Sequence, residues 1–294
     1  MTDKKQDTLS PELLGQLNMI QIRARRLARS SASGEYRSAF KGSGMEFDEV
    51  RAYQPGDDVR FIDWKVTARM NEPFIKQHRE ERQMTVILVV DVSGSLDYAG
   101  HGQSKRKMAA EIAASIAYLA IGTGDRVGLL LVSREVESYI PPSRGRGHIW
   151  RLIRTILCHP PQHKETHLKS AVDFLGRVQR RRASIFVISD LPNSQREAIT
   201  RFPKQHDVTV LRVFDRHEES MPDVGLIRLH DLESGHAVLL DTSTAKIVNH
   251  HPREGGDPFI DQIDVPTDGT VLTPLLKLFA QHQHRHVRGN YGSR

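Results

Sequence analysis

Thr85 is followed by five apolar residues without interruption, Val86-Ile87-Leu88-Val89-Val90. A strand with one wet face alternates polar and apolar side chains. An unbroken run of this length is the pattern of a strand covered on both faces. Further strand-like runs follow at residues 127–132, 185–188 and 208–213, with a shorter piece at 136–140. Between these runs the apolar residues take helical spacing instead. Met108, Ile112, Ile116 and Ala120 do so within 105–121, followed by Ile149, Leu152, Ile153 and Ile156, and then by Leu168, Ala171, Val172, Leu175 and Val178. Buried strands alternating with amphipathic helices predict an α/β fold built on a doubly wound, mostly parallel sheet.

The flanks read differently. Residues 10–29 predict a helix, with Ser10 as cap, Pro11 in the first turn, and Leu13, Leu17, Ile20, Ala24 and Leu27 near one face. After a Ser/Gly-rich stretch at 30–34, residues 35–82 predict an irregular β-rich extension. Its β-like pieces are 46–53, 59–66 and 74–78, with a turn at Gln54-Pro55-Gly56-Asp57. Arg51, Asp57, Asp58, Arg60, Asp63 and Arg69 suggest a charge network there, and Trp64 is expected to anchor in the core because a large ring buries much area. Residues 225–230 and 237–241 suggest a hairpin around Glu233-Ser234-Gly235, and residues 273–286 a closing helix. The turn-rich stretch 248–258 is expected to be a mobile surface insertion. This gives three parts: an N-terminal helix and extension at 1–83, the α/β domain at 84–242, and an insertion with a closing helix at 243–294.

Composition excludes several classes. Cys158 is the single cysteine, which rules out an internal disulfide framework and fits a reducing compartment. The longest strongly apolar runs, 86–90 and 112–121, fall short of the roughly 20 residues needed to span a bilayer. Residues 1–7 carry no apolar signal-peptide core, and a cytoplasmic chain is expected. The formal charge of +6 permits an acidic partner without demanding nucleic acid. The arginine clusters at 23–29 and 180–182 lack interleaved aromatics, so nucleic-acid binding is not expected. Gly100-His101-Gly102-Gln103-Ser104-Lys105 lacks the spacing of a phosphate-binding loop, so any ATP hydrolysis would belong to a partner.

The first apolar run ends in Asp91-Val92-Ser93-Gly94-Ser95. Ligands of open α/β sheets sit beyond the carboxyl ends of the strands. A D-x-S-x-S loop there sets a carboxylate and two hydroxyls around one point. With no Cys or His, these hard donors suit Mg²⁺ or Mn²⁺ rather than zinc. The same five residues also describe an ordinary strand-to-helix turn whose Ser and Asp cap the next helix. Two further features bear on the choice. Thr166, in Glu165-Thr166-His167-Leu168, opens a later helix, and Asp190 ends the run that begins at Ile185. Asp91, Ser93, Ser95, Thr166 and Asp190 thus come from three loops on one rim of the expected sheet. This ordered set is similar to the metal-ion-dependent adhesion site of von Willebrand factor type A domains, over about residues 84–242. The resemblance implies a von Willebrand A-like, Rossmann-like fold. It implies that Ser93, Ser95 and Thr166 hold the ion directly, that Asp91 and Asp190 lie nearby, and that one position stays open for a partner's carboxylate. Few negative ligands leave such an ion electrophilic, an interaction point and not a catalyst. Leu96 stands where similar loops often carry Met.

A second resemblance lies upstream. Gly44-Met45-Glu46-Phe47-Asp48-Glu49-Val50-Arg51-Ala52-Tyr53-Gln54-Pro55-Gly56-Asp57-Asp58-Val59-Arg60, running into Ile62-Asp63-Trp64-Lys65-Val66-Thr67-Ala68-Arg69, resembles the signature of the bacterial family called domain of unknown function fifty-eight. That family couples this segment to a von Willebrand A-like domain and is often linked with MoxR-type AAA+ ATPases. Its biochemical activity is not established. The resemblances imply a non-enzymatic adaptor that grips an acidic group of a partner, a MoxR-type ATPase or that ATPase's client, in assembly or chaperone work. The alternative is a Mg²⁺-dependent hydrolase or phosphoesterase at the same rim. It would need further carboxylates, of which Asp97 is the obvious one. A serine-hydrolase elbow, G-x-S-x-G, does not occur around Ser93 or Ser95.

Overall fold

The unbroken apolar run becomes the inner strand of a six-stranded sheet. The computed structural model describes residues 10–41, 46–70, 72–79, 83–97, 103–191, 195–202, 205–216, 225–230, 237–242 and 260–291. They divide into two units, one formed by Met1–Phe40 with Met84–Arg294 and the other by Lys41–Gln83.

The smaller unit pairs β1 (Glu46–Ala52) with β2 (Phe74–Arg79), antiparallel and with an irregularity between Phe47 and Glu49. The expected charge network forms in part. Arg51 grips Asp57 through two hydrogen bonds of 2.8 and 2.7 Å, and Arg60 pairs with Asp58 at 2.6 Å. Residues 59–66, expected to be β-like, instead make a single 3₁₀ turn, Val59–Phe61, and the start of a short helix, Trp64–Met70. The reason is local. The Asp58 carboxylate accepts from the Arg60 N–H, and Asp63 accepts from the Lys65 and Val66 N–H groups, as capping carboxylates do. Trp64 is not the core anchor that its size suggested. It stands on the first turn of a seven-residue helix with no buried residue and is 70% exposed.

The main unit carries β3 (Thr85–Asp91), β4 (Arg126–Val132), β5 (Val136–Ser143), β6 (Ser184–Ser189) and β7 (Asp207–Phe214). After the hairpin of β8 (Leu226–His230) and β9 (Ala237–Asp241) comes β10 (Asp261–Pro266). The sheet order is β10-β7-β6-β3-β4-β5, parallel except for β5, which runs antiparallel to β4. Counted within the sheet this is the doubly wound order, and it reverses between β3 and β6. Both faces of β3 are covered, as its sequence required. Val86, Leu88 and Val90 pack into one hydrophobic cluster and Ile87 and Val89 into another. Helices α4 (Lys105–Gly122) and α5 (Arg146–Cys158) contribute to the first cluster, and α6 (Leu168–Val178) and the short helix Arg196–Thr200 to the second.

The smaller unit ends at Gln83, where the expected boundary lies, whereas Met1–Phe40 groups with the main unit and no division falls at 242. Helix α1 (Pro11–Ala28) forms as expected but packs on α4, burying Leu17, Ile20, Ala24 and Leu27. The cause lies in α4, which is apolar nearly all round and so needs cover on more than its sheet side. A helix at Ala32–Lys41 replaces the expected start of the extension. Ala32, Tyr36, Ala39 and Phe40 fall on one helical face, and all are buried. At the far end, β10 was not expected, because only Ile263 and Val265 are its buried apolar residues. It pairs in parallel with β7 and leads into the closing helix, Leu272–Tyr291. The β8–β9 hairpin is antiparallel as expected. Its expected turn at Glu233-Ser234-Gly235 and the insertion at 248–258 lie outside the described residues.

Candidate functional site

The loop after β3 and the loop after β6 meet where the strand order reverses, the place at which such sheets leave a crevice. Asp91, the last residue of β3, is fully buried and accepts three hydrogen bonds. Its Oδ1 accepts from the Ser93 N–H at 2.8 Å. Its Oδ2 accepts from the Ser189 hydroxyl at 2.7 Å and from the Thr166 hydroxyl at 3.1 Å. The Ser93 and Ser95 hydroxyl oxygens lie 3.0 Å apart. Asp91, Ser93, Ser95 and Thr166 are therefore one hydrogen-bonded cluster, although Thr166 comes from a loop 75 residues beyond Asp91.

Asp190 stands beside this cluster, close enough for its charge to act on Asp91. Burial, and then the negative charge of Asp190, push the Asp91 carboxyl up to about 6, against the opposing pull of the bonds from Ser189 and Ser93. Asp190 Oδ2 pairs with the Lys105 ammonium at 3.2 Å. Asp190 Oδ1 is buried and has no hydrogen-bond partner among the described residues. The next residue, Leu191, is held at φ +49°, a left-handed conformation that is uncommon outside glycine. The Ser189 hydroxyl accepts the Leu191 N–H at 3.0 Å while donating to Asp91. One serine thus fixes both the carboxylate of β3 and the turn that carries Asp190.

The loop bearing Thr166 is pinned by groups from three directions. The Gly94 N–H donates to the Lys164 carbonyl at 2.9 Å, and the His167 N–H to the Ser133 carbonyl at 2.8 Å. Arg106 bonds the His159 carbonyl at 2.8 Å and the Val92 carbonyl at 3.3 Å, clipping this loop to the one after β3. Glu137 accepts from the Ser133 hydroxyl, pairs with His159 at 2.6 Å, and accepts the N–H groups of Gln162 and His163. Burial alone would raise the Glu137 carboxyl. The bonds from Ser133, Gln162, His159 and His163 outweigh it and hold the group below the usual carboxylate range.

The structure therefore brings Asp91, Ser93, Ser95 and Thr166 together and sets Asp190 next to them. Sequence reasoning missed Ser189 and Lys105. Ser189 carried a weak signal as the neighbour of Asp190, whereas nothing local marks Lys105 as facing a strand end 85 residues away. The donor set is hydroxyl and carboxylate oxygen, the chemistry of Mg²⁺ or Mn²⁺. Among the described residues no three His, Cys, Asp or Glu side chains form a metal-holding group. An Asp190 Oδ1 without a hydrogen-bond partner among the described residues is compatible with a cation site, because most buried polar atoms have a partner.

Residues 49–255 match the family model described as protein of unknown function DUF58. An uncharacterized protein of Mycobacterium tuberculosis is 35% identical over 233 residues, 78% of this chain and 74% of that protein. The uncharacterized protein YeaD of Bacillus subtilis is 24% identical over 140 residues, 48% of this chain and 33% of that protein. Among solved structures, the conserved hypothetical protein BatB from Bacteroides thetaiotaomicron aligns over 68% of this chain and 99% of its own, with 17% identity and a TM-score of 0.44. A von Willebrand factor type A protein from Catenulispora acidiphila aligns over 68% of this chain and 43% of its own, with 13% identity and a TM-score of 0.41.

Proposed function

We propose that this chain, which belongs to the DUF58 family of proteins of unknown function, is a non-enzymatic, metal-dependent adaptor that grips an acidic group of a protein partner. Ser93, Ser95 and Thr166 would hold a Mg²⁺ or Mn²⁺ ion, with Asp91 and Asp190 alongside. When bound, such an ion supplies an electrophilic point that a carboxylate oxygen can complete. The observation that supports this reading is the cluster in which the Thr166 hydroxyl bonds the Asp91 carboxylate beside the paired Ser93 and Ser95 hydroxyls, next to a buried carboxylate oxygen with no hydrogen-bond partner among the described residues.

The chain's own residues do the organising. Asp91 is fully buried and spends both oxygens on hydrogen bonds, so it orients hydroxyls and is poorly placed to move a substrate proton. Glu137 and Arg106 hold the Thr166 loop against the loop after β3, so the hydroxyls are set before any ligand arrives. For the partner we propose a MoxR-type AAA+ ATPase or its client, which rests on the family resemblance alone. No described helix is long and apolar enough to cross a membrane. The test is capture of bound proteins on the immobilised full chain, with Mg²⁺ and with chelator. The adaptor reading expects a protein retained in Mg²⁺, released by chelator, and not captured by Ser93→Ala/Ser95→Ala. Capture indifferent to both changes would refute it.

A further inference from the structure

Lys105 is the first residue of α4, and its side chain is 3% exposed. Both facts are costly. A cation at a helix N-terminus faces the positive end of the dipole, and a lysine is almost never buried without a partner. Replacing a buried ion pair with apolar side chains is often neutral or stabilising. The neighbouring Arg106 is also buried, but its guanidinium binds the His159 and Val92 carbonyls and Asp97, so the clipping of loops falls to it. The Lys105 ammonium instead reaches Asp190 Oδ2 at 3.2 Å, on the carboxylate whose other oxygen has no hydrogen-bond partner among the described residues.

We propose that Lys105 is a built-in competitor for the divalent ion, an ammonium that holds Asp190 and sets how tightly the cluster of Asp91, Ser93, Ser95 and Thr166 takes a metal. The inference rests on the metal reading above. With both aspartates ionised, Lys105 leaves the group one negative charge. A divalent ion turns that into one positive charge, which a single external carboxylate neutralises. Lys105 thus weakens the ion's hold in isolation and favours a loaded site that demands an acidic ligand.

The experiment is titration calorimetry of the full chain with Mn²⁺ alone, on wild type, Lys105→Met, Lys105→Arg and Asp91→Ala, with circular dichroism to confirm folding. Lys105→Met is expected to bind Mn²⁺ about tenfold more tightly, because it removes a repelling unit charge from the carboxylate beside the ion. Lys105→Arg keeps the charge and is expected to match wild type. Asp91→Ala is expected to show no binding. Equal affinities in wild type and Lys105→Met would overturn the competitor role while leaving the metal site standing. Binding in none of the folded proteins would overturn the metal reading, and this inference with it. Should Lys105→Met not fold, Lys105→Gln carries the same comparison.

Discussion

Asp91→Asn should make the protein more stable at neutral pH, even though it removes the residue at the centre of the candidate site. The Asp91 carboxyl is pushed from 3.8 up to about 6, chiefly by burial and then by Asp190. At about 1.4 kcal/mol per pK unit, holding it ionised costs the native state about 3 kcal/mol. The sign follows from the direction. A carboxyl whose folded value lies above its unfolded one contributes fully below the unfolded value and loses that contribution as pH rises through about 6. Asparagine mimics the protonated form. Its oxygen can accept the Ser93 N–H, and its amide can donate to the Ser189 and Thr166 hydroxyls, which rotate to accept. The assay is thermal unfolding of both proteins with chelator present, from about pH 4 to pH 7. At about 2–4 °C per kcal/mol the variant should melt up to about 10 °C higher at pH 7, and the two curves should converge towards pH 4. A variant no more stable than wild type at pH 7, or two parallel pH profiles, would refute the reasoning. A gain in stability would mark Asp91 as a residue that gives up stability for a task.

Other measurements check separate parts of the structure. His282 is fully buried between Asp207 at 2.9 Å and Asp261 at 2.7 Å, with Phe40 stacked on its ring. Burial would lower its pKa, but the two aspartates outweigh that and raise it. Its contribution is therefore complete below about pH 6.5 and lost as pH rises through the raised value, and His282→Gln should flatten that part of the denaturation profile. Glu137→Gln should cost about 1–3 kcal/mol in denaturant unfolding, because the Ser133 hydroxyl, His159 and two backbone N–H groups lose a charged acceptor. It should also speed amide exchange at Gln162 and His163, and unchanged exchange would deny Glu137 its hold on that loop. Trp64→Ala should change stability by less than about 0.5 kcal/mol, as at other exposed positions.

The central sheet was legible because β3, β4 and β6 are nearly pure apolar runs, and such runs have few other places to go. The rim was legible for a related reason. A residue at the end of a parallel strand has its position fixed by the strand, which sets Asp91 at the rim and Asp190 one residue past the end of β6. Helix Ala32–Lys41 was hidden by its serines and Gly34, which favour turns locally, until Tyr36 and Phe40 found Phe279 to pack on. Strand β10 was hidden because an edge strand alternates Ile263 and Val265 with polar residues and looks like a loop. Trp64 misled because ring size speaks for burial only where a helix has a core to face. Lys105 and Ser189 matter through partners far along the chain, and no local spacing carries that information.

The edge position of β10 has a consequence for biosynthesis. Its pairing partner, β7, ends 47 residues before β10 begins, and the helix Ala32–Lys41 waits for Phe279 on the closing helix. During translation, the hydrogen-bonding groups along one side of β7 and the aromatic rings of an early helix stay bare until this last stretch clears the ribosome. A nascent chain stalled before residue 261 would present a raw sheet margin, the kind of surface that holdase chaperones shield and that otherwise templates self-association.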